Sequence, residues 1–330
     1  MRSISLARSA VALAALAVLA ACGGGDPAAT ETVAAATEVT EAAAGPSEDA
    51  AHFGRHRPEE TRPHDARVFT VATSGPGAPP FAALAGATVE TDRWWGTLGN
   101  AGYRVEVPKN WNGKLVMYAH GYAGTGAALN ITNPSIRRHL IENGYAWAAS
   151  SYSANYYDVR AGVEDTNALA AAFTQIARDN GRPLPKPRRT YIMGHSMGGH
   201  VTGAAIDLEA LITAKNRYRY DGAVPMCGVM GDTELFDYFA AYQLAAQQLA
   251  GLPATGFPTT DWATVGPSTR AALFTSFSTV PTVPGLTLRE VVKNLTGGER
   301  PIFAQGFANT GLQNVVWGTF GGDGTINGIL

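Results

Sequence analysis

The apolar positions of the chain fall into their most regular order between residues 103 and 231. Residues 114–119 are almost continuously apolar, which is typical of a strand buried on both faces of a parallel sheet, and residues 145–150 predict the next strand. Residues 157–180 carry apolar side chains at helical spacing, and Gly181 ends the predicted helix. This alternation of strands and helices predicts a mostly parallel α/β sheet with helices packed on it.

Three stretches alternate apolar and polar residues, which predicts antiparallel strands entering the sheet. They are Val68–Thr73, Ala87–Thr91 and Tyr103–Val107. A helix is expected after Asn133-Pro134, with Ile136, Leu140 and Ile141 on its buried side.

A short apolar strand at residues 191–193 breaks at Gly194-His195-Ser196-Met197-Gly198 and continues as a predicted helix. A serine at the tip of a tight strand-to-helix turn projects its hydroxyl clear of the sheet, and the neighbours two residues away must then lack side chains. The stripe expected to be buried in the helix consists of Val201, Ala204, Ala205, Leu208 and Leu211. This context favours a nucleophilic serine over a serine in an ordinary glycine-rich loop.

A second motif, His120-Gly121-Tyr122, directly follows the strand at 114–119. Together with GHSMGG it resembles the secreted bacterial esterases and lipases of the α/β-hydrolase superfamily, over roughly residues 103–231. The resemblance implies cleavage of carboxylic esters with Ser196 as nucleophile and with no metal or organic cofactor. It also implies an oxyanion hole made of the backbone N–H groups of Tyr122 and Met197, with Gly121 allowing a close approach. His120 matches a histidine that shapes this loop in related esterases, and we favour that role over one as a base.

The alternation of predicted strands and helices ends with the core domain at 67–231. Residues 232–330 are predicted to be a cap inserted into the hydrolase core. Residues 233–250 predict an amphipathic helix, and the remainder is expected to be loop-rich. The helix carries four aromatic residues, Phe236, Tyr238, Phe239 and Tyr242. They either pack onto the body of the protein or line an apolar acyl pocket.

No histidine stands where the resemblance requires one. The triad of this fold runs Ser, then Asp or Glu, then His, but the histidines stand at 52, 56, 64, 120, 139, 195 and 200. His200 is expected to pack beside the helix after Ser196 rather than reach the hydroxyl. Residues 314–320 followed by Asp323 are a weak candidate for an acid-bearing strand.

Two explanations for the missing histidine remain open. Either the chain is a catalytically inactive relative, or it stops inside the cap before the strands that carry the acid and the base. We favour the second, because the usual architecture needs further strands after a cap. The alternative function is a non-catalytic surface lipoprotein that uses the hydrolase scaffold for binding.

The first 21 residues combine two arginines with an apolar run too short to span a bilayer, which predicts a signal peptide. The sequence Leu19-Ala20-Ala21-Cys22-Gly23 resembles the lipoprotein box, in which the cysteine is lipidated. Residues 22–66 have almost no large apolar side chains and are expected to be a disordered tether. The chain is therefore predicted to be exported and lipid-anchored, at the outer membrane or the cell surface.

The net charge and the cysteine content limit the classes of partner that the protein is expected to have. A net charge of −2 gives no sign of a nucleic-acid partner. Cys22 and Cys227 are the two cysteines, so acylation of Cys22 leaves no intramolecular disulfide, and Cys227 is expected to be a buried thiol. The expected partners are a small or polymeric ester and a membrane contacted through the lipid.

Overall fold

The computed structural model of the protein describes residues 67–231, 234–252 and 262–318. The predicted signal peptide, Cys22 and the tether lie outside these residues. By its contacts the chain divides into two compact units, one ending at Met230 and the other, in the described part of the chain, beginning at Gly231. Within the described ranges, no helix has both the length and the apolar character needed to cross a membrane.

A six-stranded sheet forms the centre of the first unit. Its strands are β2 (Thr91–Leu98), β3 (Ala101–Pro108), β4 (Lys114–Ala119), β6 (Ala146–Ser150), β7 (Arg189–His195) and β8 (Gly222–Met226). They lie in the order β2-β3-β6-β4-β7-β8. The last four are parallel, and β2 and β3 join them antiparallel at one edge. The mostly parallel sheet that the sequence predicts is therefore confirmed. Two short strands, β1 (Thr70–Val71) and β5 (Ala128–Leu129), pair with each other outside this sheet.

Helices cover both faces of the sheet. They are α1 (Arg137–Glu142), α2 (Val159–Asp179), α3 (Met197–Ile206) and α4 (Leu208–Thr213). Val116 and Tyr118 of β4 belong to one apolar cluster with residues of α1. The alternate residues Leu115 and Met117 point to the opposite face and are fully buried as well, and α2 and α3 contact β4.

Several local predictions are confirmed. The predicted strand at 114–119 is β4, and the predicted helix at 157–180 is α2, whose first turn is capped by the Asp158 side chain accepting from the Ala161 N–H at 2.9 Å. The prediction of a strand over Ala87–Thr91 is wrong, because regular strand pairing starts only at Thr91, where β2 begins. The proline-rich segment before it lies against the sheet instead, since the buried Arg104 guanidinium donates to the carbonyls of Pro76, Ala78 and Pro79.

Other local predictions fail for identifiable reasons. The helix after Ser196 breaks at Asp207, whose side chain caps α4 by accepting from the Glu209 N–H at 2.8 Å. Leu208 consequently leaves the expected stripe and is exposed, whereas Val201 and Ala205 are buried. Ile136 precedes α1 and is exposed. Cys227 is also exposed rather than buried, because it follows the end of β8 with a φ of 48°.

The second unit is mainly helical. It contains α5 (Glu234–Leu249), α6 (Trp262–Leu273), α7 (Val283–Leu295), α8 (Phe303–Ala308) and α9 (Thr310–Gly318), with a short hairpin of β9 (Phe274–Ser276) and β10 (Val280–Pro281). The helix expected at 233–250 is confirmed. The prediction that the remainder is loop-rich is wrong. The prediction of a strand over 314–320 is also wrong, because residues 310–318 form α9. Asp323 lies outside the described residues.

The helices of this unit enclose a core of their own. Tyr242, Leu273, Leu288, Phe307 and Trp317 are among its buried residues. Gln313 is the polar centre, since its Oε1 accepts from the Tyr242 hydroxyl at 2.8 Å and from Trp317 Nε1 at 2.9 Å, and its Nε2 donates to the Phe307 carbonyl at 2.8 Å. A buried amide satisfied in this way holds three elements in one arrangement.

Candidate active site

Ser196 occupies the turn between β7 and α3. Its backbone has φ 54° and ψ −121°, and residues other than glycine seldom adopt a positive φ. Ser196 is also exposed. The Ser196 N–H donates to the carbonyl of Met226 at 3.0 Å, which ties the turn to the end of β8. A strained serine held at the tip of a strand-to-helix turn is the geometry of a nucleophile elbow.

The two glycines around Ser196 are required by space. A Cβ on Gly194 would collide with the carbonyl oxygen of Gly198, and a Cβ on Gly198 would collide with that of Ala119. The G-x-S-x-G spacing therefore reflects close packing of the turn against itself and against the end of β4.

The His120-Gly121-Tyr122 loop lies beside this turn. β4 and β7 are parallel neighbours, with Ala119 paired to Gly194, so the segments after them leave the same edge of the sheet. A Cβ built on Gly121 would lie 3.1 Å from the His195 carbonyl oxygen and 3.5 Å from Ser196 Cβ. Gly121 is thus packed directly against the turn that carries the serine.

Met197 and Tyr122 are the residues that follow Ser196 and Gly121 in the chain, and their backbone N–H groups are the donors that the sequence analysis expects. Met197 is the first residue of α3, where N–H groups have no partner within the helix, and its own side chain is buried. Tyr122 follows Gly121 and its side chain is partly exposed. The structure therefore brings together all four residues that the sequence analysis singled out in the core.

The His120 ring is engaged by its own loop. Nδ1 lies 2.6 Å from the Gly121 carbonyl oxygen and Nε2 lies 3.1 Å from that of Ser151. Burial lowers the pKa of His120, against the opposing effect of these two carbonyls. With both ring nitrogens directed at carbonyls, His120 is placed to shape the loop, which is the role the sequence analysis favoured over a base.

Tyr152 is a residue of the site that the sequence analysis missed. Its ring stacks on His120 with centroids 4.0 Å apart, and its hydroxyl donates to the His120 carbonyl at 2.9 Å. A trans peptide points its C=O and N–H in opposite directions. Anchoring the His120 carbonyl therefore also fixes the Gly121 N–H, and a His120 tautomer that donates from Nδ1 to the Gly121 carbonyl would fix the Tyr122 N–H in the same way. The available signal was its place just after a buried strand, at the carboxyl edge of a parallel sheet.

The other histidines of the region have different partners. His195 Nδ1 lies 3.4 Å from the Tyr118 hydroxyl, and burial lowers the pKa of His195. His200 Nδ1 lies 3.3 Å from the Tyr157 hydroxyl, which places its ring beside the helix as expected. Within residues 67–231, 234–252 and 262–318, no hydrogen-bond partner contacts Ser196 Oγ, and no group of acidic, histidine or cysteine side chains could hold a metal ion.

The sheet order, the elbow and the neighbouring glycine loop define an α/β-hydrolase type of fold. Searches against protein-family models and curated protein sequences found no match. Among solved structures, the chain is similar to brefeldin A esterase, described as a bacterial homologue of human hormone-sensitive lipase, with 18% identity, a TM-score of 0.32 and coverage of 51% of this chain and 48% of that one.

Two further solved structures have the same general likeness. An inhibited esterase B from Lactobacillus rhamnosis matches with 19% identity, a TM-score of 0.31 and coverage of 51% of this chain and 60% of that one. An acylaminoacyl peptidase in complex with a chloromethyl ketone matches with 12% identity, a TM-score of 0.32 and coverage of 46% and 25%. The chain thus spans less than two thirds of the length of each of these three structures.

Proposed function

We propose that the protein is a serine hydrolase that cleaves carboxylic esters through an acyl-enzyme on Ser196. The observation that carries this proposal is the exposed serine at a left-handed strand-to-helix turn, with Gly121 packed against it. A strained, exposed serine has little structural use in such a turn, but it is well placed to attack a carbonyl group.

The reaction assigns a role to each part of the site. Ser196 Oγ attacks the ester carbonyl carbon, and the oxygen that gains negative charge is stabilised by the backbone N–H groups of Met197 and Tyr122. Collapse of this intermediate expels the alcohol and leaves the acyl group on Ser196, and water then releases the acid. The serine proton must pass to a base, and no described residue contacts Ser196 Oγ in that role.

The first test is covalent labelling of the full-length protein with a fluorophosphonate probe, read out on a gel and by peptide mass. We expect the wild-type protein to be labelled on Ser196 and the Ser196→Ala variant to remain unlabelled. Ser276→Ala, which removes another exposed serine, is the matched control and should label normally. Label that persists in Ser196→Ala would exclude the assignment.

A second candidate function is binding without catalysis. The observation in its favour is that Ser196 Oγ has no base beside it among the described residues. A folded wild-type protein that neither takes up the probe nor hydrolyses any ester of a graded acyl series would favour this candidate over the enzyme.

We also propose that the mature chain is exported and attached to a membrane by a lipid on Cys22. The support is the run Leu19-Ala20-Ala21-Cys22-Gly23 after a short apolar segment, followed by a polar tether long enough to hold the described units away from the surface.

A further inference from the structure

The second unit contains a small cavity between its helices that is partly open to solvent. Its volume is about 210 Å³, and its apolar wall is formed by Val292, Ile302, Phe303, Phe307 and Val316. Pockets for drug-sized ligands usually have about 300–1,000 Å³, so this cavity is smaller than most of them. The cavity is therefore sized for a short alkyl chain or a small ring.

Two of the four aromatic residues predicted to pack or to line a pocket contribute to this cavity. Tyr238 and Tyr242 line it, whereas Phe236 and Phe239 are not among its lining residues. Tyr242 is committed to Gln313 through its hydroxyl. The Tyr238 hydroxyl has no hydrogen-bond partner within the described part of the chain, so it remains able to donate to a ligand.

Arg300 gives the cavity a positive charge. Its Nη1 donates to the carbonyls of Thr296 at 2.7 Å and Gly298 at 3.2 Å, and its Nη2 donates to Thr296 Oγ1 at 2.8 Å. These acceptors are neutral, and no carboxylate pairs with Arg300 among residues 67–231, 234–252 and 262–318. A guanidinium has five N–H groups, so Nε–H and one N–H of Nη2 are left over.

The unused N–H groups of Arg300 match the shape of a carboxylate. In the first unit of this protein, the same two atoms of Arg137 hold Glu106, with Nε 2.6 Å from Oε2 and Nη2 2.9 Å from Oε1. This two-point pairing is the arrangement in which arginine binds carboxylates most strongly. Tyr238 lies close enough for the charge of Arg300 to act on its pKa, which burial raises.

We propose that the second unit binds a short- or medium-chain carboxylate, with the alkyl chain in the apolar cavity and the carboxylate on Arg300 and Tyr238. A neutral alcohol would leave the guanidinium edge unpaired, and an alkylammonium ion would be repelled by it. The proposal goes beyond ester hydrolysis and does not depend on it, because binding is measured without turnover.

The test is isothermal titration of the full-length protein with octanoate, octanol and octylammonium. We expect octanoate to bind more tightly than octanol, and octylammonium not to bind. Arg300→Gln should lower the affinity for octanoate by about tenfold to a hundredfold, which is the range for loss of a hydrogen bond to a charged group. The affinity for octanol should not change. If Arg300→Gln weakens both ligands equally, Arg300 only supports the fold and the proposal fails.

Two further variants keep the outcome clear. Arg289→Gln removes the same charge from the same unit, with a guanidinium 6.0 Å from the Phe303 ring but outside the cavity lining, and should bind octanoate normally. Gly306 lines the cavity, and a Cβ there meets no atom within 4 Å, so Gly306→Leu should fill the space and abolish binding of octanoate and octanol. Normal binding by Gly306→Leu, or no octanoate binding by the wild type, would overturn the proposal. Fluorophosphonate labelling of Ser196 reports on the hydrolase separately.

Discussion

At the scale of single residues, the serine turn depends on the residues packed around Ser196. Gly194 and Gly198 are present because a Cβ at either position would meet a backbone oxygen. Tyr152 stacks on His120 and holds its carbonyl. We infer that Tyr152 is a positioning residue, which acts through the loop that carries the Tyr122 N–H.

Tyr152→Phe should keep the stacking and lose only the hydrogen bond to the His120 carbonyl. Removal of a whole oxyanion donor costs about a hundredfold to a thousandfold in kcat, so a loosened loop should lower kcat by roughly tenfold, with KM changing little. The measurement is steady-state hydrolysis of a soluble ester. Tyr220→Phe is the control, because it loses a partly buried hydrogen bond of 2.7 Å to Asn167 Oδ1, far from the loop in sequence. An equal loss of kcat in both variants would mean that the effect is general destabilisation.

At the scale of elements, a buried ion pair joins β3 to α1. Glu106 is fully buried and its carboxylate accepts from Arg137, from Trp147 Nε1 at 2.8 Å and from the Thr91 hydroxyl at 2.8 Å. Arg137 Nη2 also donates to the Ala82 carbonyl at 2.8 Å, so the pair fixes the irregular segment before β2 as well.

Glu106→Ala should destabilise the first unit strongly, because it leaves the buried Arg137 guanidinium without a negatively charged partner. Loss of one member of a buried pair costs about 3–5 kcal/mol in the free energy of unfolding. The double variant Glu106→Leu/Arg137→Met removes both charges and should recover part of that loss. Chemical denaturation followed by fluorescence measures both, with the exposed pair Arg189–Asp221 as a control whose removal should shift the midpoint little. A double variant less stable than Glu106→Ala would contradict this account.

The central strands, α2 and the serine turn could be predicted because their signals are local: continuous apolar runs, helical spacing and a glycine pattern. The start of β2 could not, since it depends on Arg104 binding carbonyls some 25 residues away in sequence. The helices after residue 262 were not predicted, because the composition of this region suggested loops. Pro267 lies inside α6, and Gly285 of α7 is needed because a Cβ there would collide with the Leu273 carbonyl oxygen.

Some residues of the candidate site could likewise be predicted from the sequence, and others could not. Ser196, Gly121, Tyr122 and Met197 follow from motifs next to predicted strands. Tyr152 does not, because its role depends on the stacking of two loops that are 32 residues apart in sequence. The cavity beside Arg300 was not predicted, since only two of the aromatic residues of α5 line it and its other walls come from α7, α8 and α9.

At the scale of the whole molecule, the proposed lipid anchor determines where the two units work. In a bacterial host fed with an alkyne fatty acid, the full-length chain should be labelled and should sediment with membranes. Cys22→Ala should lose the label and move to the soluble fraction, while Cys227→Ala, which removes the other cysteine, should behave as wild type. Label retained in Cys22→Ala would exclude lipidation at that position.

Among the described residues, the Ser151 carbonyl and the Tyr152 hydroxyl contact His120 at the start of the His120-Gly121-Tyr122 loop, and both residues lie just after β6 in the first unit. In the proposed reaction, the Tyr122 N–H would therefore be held in place before a substrate arrives, and no energy would be spent on turning it. The proposed hydrolase would then need no activation step at its oxyanion site, and its first turnover should proceed without a lag.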